Sequence, residues 1–186
     1  MPRRETQFFN DCYYHIYNRG VNQSDIFFDK RNYYFFQQKV KQYLLPFSDV
    51  VAYCLMPNHF HLLICIKEAD KITESLRNLF ISYTKSLNKE VNRSGPLWEG
   101  RYKSKLVPGD DYLLHLTRYI HLNPVKAKLV NKPEDWKFSS YSDYIRENGT
   151  TFVNKNIVLN KVDDYRRFVE SYQEFDKDKL AELLFD

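Results

Sequence analysis

Cysteine is scarce: Cys12, Cys54 and Cys65 are the three in 186 residues. They are too few and too scattered for a disulfide framework or a CxxC zinc site. Two of them lie inside apolar runs, where a thiol serves as a small core group. No apolar run approaches the roughly 18 residues a membrane helix needs. Residues 1–10 are polar and charged and carry no signal-peptide pattern. The expectation is a cytoplasmic protein in a reducing compartment, with no membrane partner. Internal repeats and low-complexity tracts are also missing, which excludes a repeat architecture.

Charge of one sign is not in large excess. The net charge is +4, which excludes a polybasic tail protein. Its distribution is uneven. Residues 163–186 hold eight acidic and four basic side chains, a net of −4, so residues 1–162 carry +8. Residues 77–105 hold seven basic and two acidic side chains. A basic stretch on a folded domain attracts phosphates, although a solvated helix face has the same composition. Aromatic residues are abundant at 17%. They fit a Phe- and Tyr-rich core, exposed rings that stack on unpaired bases, or both. The length suits one well-buried core with a small appendage.

The apolar spacing predicts strand, helix, strand, strand, helix, strand, helix. Residues 11–18 (DCYYHIYN) form a first strand. A helix over 30–45 presents Tyr34, Phe35, Gln38, Val40 and Leu44, and Pro46 stops it. Strands over 49–55 and 59–66 flank the turn Met56-Pro57-Asn58, and their near-continuous apolar runs mark both as central. The helix over 70–92 has the stripe Thr73, Leu76, Leu79, Phe80, Tyr83 and Leu87. Residues 102–107 alternate lysine with other residues, as an edge strand does. A third helix over 110–122 is capped by Asp110 or Asp111, buries Leu113, Leu116 and Ile120, and ends near Asn123 because Pro124 follows. Residues 136–144 fold back onto the core, and 163–185 form a terminal helix. The predicted class is α+β: an antiparallel sheet with helices packed on one face and a C-terminal extension. The expected division is 1–145 for the catalytic domain and 146–186 for the extension, helical and packed on the same domain.

Two features carry chemistry. His59 and His61 are two apart on a predicted strand, so both imidazoles point one way and Phe60 points the other. Two neutral imidazoles a strand step apart can bind one divalent metal, given a third ligand. They can also simply cap a half-exposed face. Tyr119 and Asn123 are four apart on a predicted helix, with His115 one turn earlier. A helical tyrosine is commonly a core-edge ring with a wet hydroxyl. Alternatively, Tyr119 attacks a phosphodiester and Asn123 lends its amide oxygen to the metal.

Several stretches together carry a family resemblance: YHIYNRG (14–20), AYCLMPNHFHLLI (52–64), GPLWEGRYKSKLV (95–107), RYIHLNPVKAKLV (118–130) and the weaker WKFSSY (136–141). The chain resembles the single-tyrosine HUH transposases of the IS200/IS605 type, and especially the REP-associated tyrosine transposases. The resemblance implies a ferredoxin-like or RRM-like sheet, with His59 and His61 as metal ligands around the hydrophobic Phe60. It implies Tyr119 as the nucleophile and Asn123 as the residue that completes the metal site. It further implies Mg²⁺ or Mn²⁺ and a single-stranded hairpin DNA substrate, cut and rejoined through a covalent 5′-phosphotyrosine. Both a monomer and a homodimer with the tyrosine helix in trans are compatible with it.

Arg19, Arg77, Arg101, Lys103 and Lys105 are the candidates for contacting DNA phosphates. Lys103 and Lys105 have protection of a sheet edge as an equal alternative. Arg101 is favoured by its place in the family-like GRYKS segment. A non-catalytic single-stranded nucleic-acid binding module is the competing function, and metal dependence separates the two.

Overall fold

The computed structural model describes residues 7–146 and 152–171. Four antiparallel strands, β1 (Tyr13–Arg19), β2 (Ser48–Met56), β3 (His59–Ile66) and β4 (Lys103–Leu106), form one sheet in the order β2-β3-β1-β4. Helices α1 (Lys30–Tyr43) and α2 (Ala69–Glu90) pack on one face of it. This is the expected α+β sheet with covering helices. Helix α3 (Asp110–Lys126) lies across the other face, chiefly against β2.

The alternation of β3 shows how the two faces differ. Phe60 sits among Phe36 of α1, Phe80 of α2 and Trp98, with ring centroids 5.2, 5.6 and 5.7 Å away. Burying such a ring contributes roughly 1.5–3 kcal/mol. Its neighbour His61 points the opposite way, toward Tyr119 of α3. Antiparallel partners share a face. The register pairs Tyr17 with His61, Arg19 with His59, Lys103 with Tyr17 and Lys105 with His15. All of these therefore lie on the histidine face.

Five local expectations are corrected. The buried face of α1 is Tyr33, Phe36 and Val40, continued by Leu44, while Tyr34 is 53% exposed. In α2 Ile72, not the exposed Thr73, opens the buried stripe. The expected Leu76, Leu79, Phe80, Tyr83 and Leu87 of α2 and Val40 and Leu44 of α1 are buried; the differences lie before Val40 in α1 and at the start of α2, where adjacent residues compete for the stripe. Strand β2 is at the end of the sheet, not central. It is apolar on both faces because helices cover both. Its outer edge is closed by the chain that follows: Leu55 N–H donates to Phe138 O, Ser140 N–H to Tyr53 O, and Asn154 N–H to Val50 O. Helix α3 runs through Pro124 to Lys126. The proline removes one donor near the helix end, and burial of Asn123 and Pro124 overrides the preference for stopping. Its N-cap is Gly109; Asp110 and Asp111 lie in the first turn, beside the positive end of the helix dipole.

Three short helices follow, α4 (Tyr141–Ile145), α5 (Asn156–Leu159) and α6 (Tyr165–Glu170). The terminal helix expected over 163–185 is helical at α6, and its part beyond residue 171 lies outside the described residues. Fully buried His121 of α3 ties these pieces together: Nδ1 is 2.6 Å from the Tyr165 hydroxyl and Nε2 is 2.7 Å from Ser140 Oγ. Ser140 Oγ in turn accepts from Tyr53 N–H of β2.

Gly20 fixes the end of β1 that adjoins the histidines. Its N–H donates to Asn58 O in the β2–β3 turn, and a Cβ here would lie 2.0 Å from the Ser24 carbonyl oxygen. No flexible side chain can give way, because the obstacle is backbone. Gly20→Ala is expected to lower unfolding free energy by about 1–3 kcal/mol. Denaturant unfolding measures it, and wild-type stability in the variant refutes the close approach.

Candidate active site

His59 opens β3, and its ring is held from the turn before it. Asn58 Nδ2 donates to Gln23 O, which leaves the Asn58 amide oxygen facing His59 Nδ1 at 2.7 Å. That oxygen only accepts, so Nδ1 carries the proton and Nε2 is the lone-pair nitrogen. Burial pushes the His59 pKa down to about 4, Arg19 pushes the same way, and a side-chain hydrogen bond in which Asn123 accepts partly offsets both. The ring is neutral at pH 7, the form that binds a metal.

His61 is fully buried, and its ring centroid is 5.1 Å from that of His59. Its Nδ1 meets His15 Nε2 at 2.9 Å. Burial holds its pKa well below the ordinary value, with His15 and His59 adding to the effect. Tyr119 of α3 is half-buried and stands edge-on to the His61 ring, centroids 5.7 Å apart at 82°. Lys126 Nζ lies 4.7 Å from the centroid of the Tyr119 ring.

Asn123, one helical turn beyond Tyr119, donates through Nδ2 to the Tyr119 carbonyl at 3.3 Å. Its hydrogen bond with His59 favours the protonated ring, in which Nε2 also carries a proton for the amide oxygen to accept. The amide oxygen therefore faces the histidine pair. Two neutral imidazoles and an amide oxygen make a donor set that fits a divalent cation. Among the described residues, no group of three or more His, Cys, Asp and Glu side chains could hold one. The Asn123 amide oxygen would supply a third protein ligand to an ion held by the two imidazoles.

The five candidate DNA-contacting cations divide between two places. Arg19, Lys103 and Lys105 are on the histidine face. Arg19 pairs through both guanidinium edges with Glu99, and Lys103 Nζ lies 5.8 Å from the centroid of the Tyr17 ring. Arg77 and Arg101 instead line a cavity of about 440 Å³ with Phe80, Trp98 and Tyr102, on the α2 side. Arg101 also borders a smaller cavity with Arg19, Glu99 and Lys103, which connects the two regions. His115, one turn before Tyr119 on α3, is engaged by Arg118 at 2.8 Å.

Sequence reasoning missed three residues here. Asn58 carries turn chemistry in the sequence, and its place directly before His59 is the signal for a ring-orienting partner. Lys126 was lost when the helix was ended too early. His15 carries the period-two signal of its strand, but its contact with His61 needs the β1–β3 register.

Known proteins show the same arrangement of elements. A solved structure of a REP-associated tyrosine transposase bound to a REP hairpin superimposes with a TM-score of 0.67 at 16% identity, over 82% of this chain and 90% of that one. This likeness is one of fold. A Haemophilus influenzae protein assigned to the REP-associated tyrosine transposases is 32% identical over 106 residues. The match covers 52% of this chain and 60% of that relative, so the chain spans less than two thirds of the relative's length. The family model described as "Transposase IS200 like" matches residues 8–123, a span that takes in β1 to β4 and α3 as far as Asn123. With more than half of its length matched and the sheet, the histidine pair and the tyrosine helix all inside that match, the chain belongs to the IS200-like, single-tyrosine transposase family.

Proposed function

We propose that this chain is a metal-dependent endonuclease and strand transferase for single-stranded hairpin DNA, with Tyr119 as its nucleophile. The observation that carries the reading is the Tyr119 ring against His61 within one chain, with the Asn123 oxygen turned toward His59. This placement supports a reading in which one copy supplies both the histidine pair and the tyrosine. The hairpin bound by the structural neighbour supports the choice of substrate.

Tyr119 Oη attacks the scissile phosphorus in line. One O–P bond forms to the phenol oxygen, the bond to the 3′ oxygen breaks, and that oxygen leaves as a 3′-hydroxyl with a proton. The 5′-phosphotyrosine keeps a phosphodiester-like bond, so a second 3′-hydroxyl can reverse the step and join a different strand. Arg19, Lys103 and Lys105 hold phosphates on the same face. His59, His61 and Asn123 hold Mg²⁺ or Mn²⁺, which supplies charge neutralisation and orientation for the phosphate when bound. The catalytic unit lies within residues 1–145, and α6 of the extension braces α3.

Incubation with short hairpin DNAs and Mg²⁺ or Mn²⁺, followed by a denaturing gel, tests the reading. A DNA-linked protein band is the expected product. His59→Ala combined with His61→Ala is expected to reduce it by more than about 100-fold with hairpin binding retained. A chain that binds hairpins but neither cleaves them nor forms the band, with or without metal, is a binding module and the proposal fails.

A further inference from the structure

His15 lies outside the three groups assigned to the metal, yet it is the partner of one of them. It sits on β1 opposite Leu63, and its ring reaches diagonally along the sheet to His61. Both rings are fully buried. Their nitrogens are 2.9 Å apart, while their centroids are 5.1 Å apart and their planes differ by 20°. A face-to-face stack would bring the centroids closer than the nitrogens could keep apart. The rings instead meet edge to edge in nearly one plane, which is the geometry of an N–H···N hydrogen bond. Tyr17, stacked on His15 with centroids 4.6 Å apart, holds that plane from the side.

We propose that His15 is a positioning residue that fixes His61 as its Nδ1–H tautomer and so directs Nε2 toward the cation. The inference rests on the proposed metal site. One N–H···N bond holds one proton, so only two arrangements exist. If His15 Nε2 carries it, His61 must be protonated at Nε2 and cannot bind a metal there. If His61 Nδ1 carries it, His15 Nε2 accepts and His61 Nε2 has its lone pair directed into the site. The same logic acts on His59, whose Nδ1 is held by the Asn58 amide oxygen. The two ligand rings are thus each oriented by a different neighbour: one from the turn, one from the adjacent strand. The two differ chemically. The Asn58 oxygen can only accept, whereas His15 can do either and must itself be in the right tautomer.

The tautomer of His61 is directly measurable in metal-free, ¹⁵N-histidine-labelled protein from its two-bond ¹H–¹⁵N correlations. The Nδ1–H pattern is expected; the Nε2–H pattern overturns the proposal. Affinity for Mn²⁺ alone, read by electron paramagnetic resonance or calorimetry, is the second measurement. His15→Phe keeps the ring but has no acceptor, and it is expected to weaken Mn²⁺ binding about 10–100-fold. His15→Gln, whose amide oxygen can take the place of Nε2, is expected to recover most of that loss. A residue with only a packing role would show the reverse order, with Phe tolerated and Gln impaired, and that result also overturns the proposal. If wild-type protein binds no Mn²⁺, the parent metal site fails; the tautomer, read without metal, still judges the His15–His61 pair separately.

Discussion

Tyr119→Phe is expected to eliminate the covalent protein–DNA adduct and leave hairpin binding within about twofold of wild type. The substitution removes one oxygen and keeps the ring. The edge-on contact with His61 and the approach of Lys126 Nζ are both made to that ring, so α3 should keep its place on the sheet. Arg19, Lys103 and Lys105, proposed above to hold phosphates, belong to other elements and are untouched. What disappears is the atom that forms the new bond. Loss of a covalent nucleophile costs on the order of 10⁴-fold or more in rate, because binding and electrostatic stabilisation alone leave only a small residue of activity. Single-turnover reactions resolved on a denaturing gel measure it. Persistence of the adduct in the Phe variant assigns the nucleophile elsewhere; cleavage without any adduct in the wild type points to a hydrolase in which Tyr119 only stabilises charge.

Acid is expected to destabilise the chain steeply between pH 6.5 and 5, before ordinary carboxylates titrate. His121 is buried between Tyr165 and Ser140, and burial pushes its pKa down to about 3. His59 is held at about 4, and His61 is also held well below its ordinary value. In the unfolded chain each would titrate near 6.5. Above that pH neither state binds the proton and the stability is fully present. As pH falls below it, the unfolded state takes up protons that the folded state refuses, so stability is lost until the folded pKa values are reached. Three such rings give a slope on the order of 4 kcal/mol per pH unit. Denaturant unfolding at a series of pH values reads that slope directly. His121→Gln should be less stable at pH 7 but show a slope smaller by about one proton. A stability that stays flat from pH 6.5 to 5 is incompatible with three buried neutral rings.

The chemistry of the site was legible wherever it follows from spacing along one element. A period of two puts His59 and His61 on one side of β3 whatever lies beyond, and a separation of four puts Asn123 one turn from Tyr119 as long as the helix continues. The helix does continue, although Pro124 argued for an earlier end. That local preference lost to the burial of Asn123 and Pro124, which no local pattern reveals. The same limitation placed β2 at the centre of the sheet. An apolar run records that a strand is covered, but not whether a strand or a loop covers its edge; here residues 138–140 and 154 do so.

The sequence by itself therefore determined which groups exist and which of them share a face: the imidazole pair, the tyrosine with its asparagine, and the alternating lysines of β4. Tertiary structure decided which faces meet. It set α3 over the histidine side of the sheet and α1 and α2 over the other, and it chose the register that brings His15 to His61. It also set Arg77 apart from Arg19, Lys103 and Lys105, with Arg101 between the two groups. The physical reason is that side-chain direction within an element follows from backbone geometry a few residues long, whereas contacts between distant segments follow from how the whole chain buries its apolar surface, a choice shared among many residues and written in no single one of them.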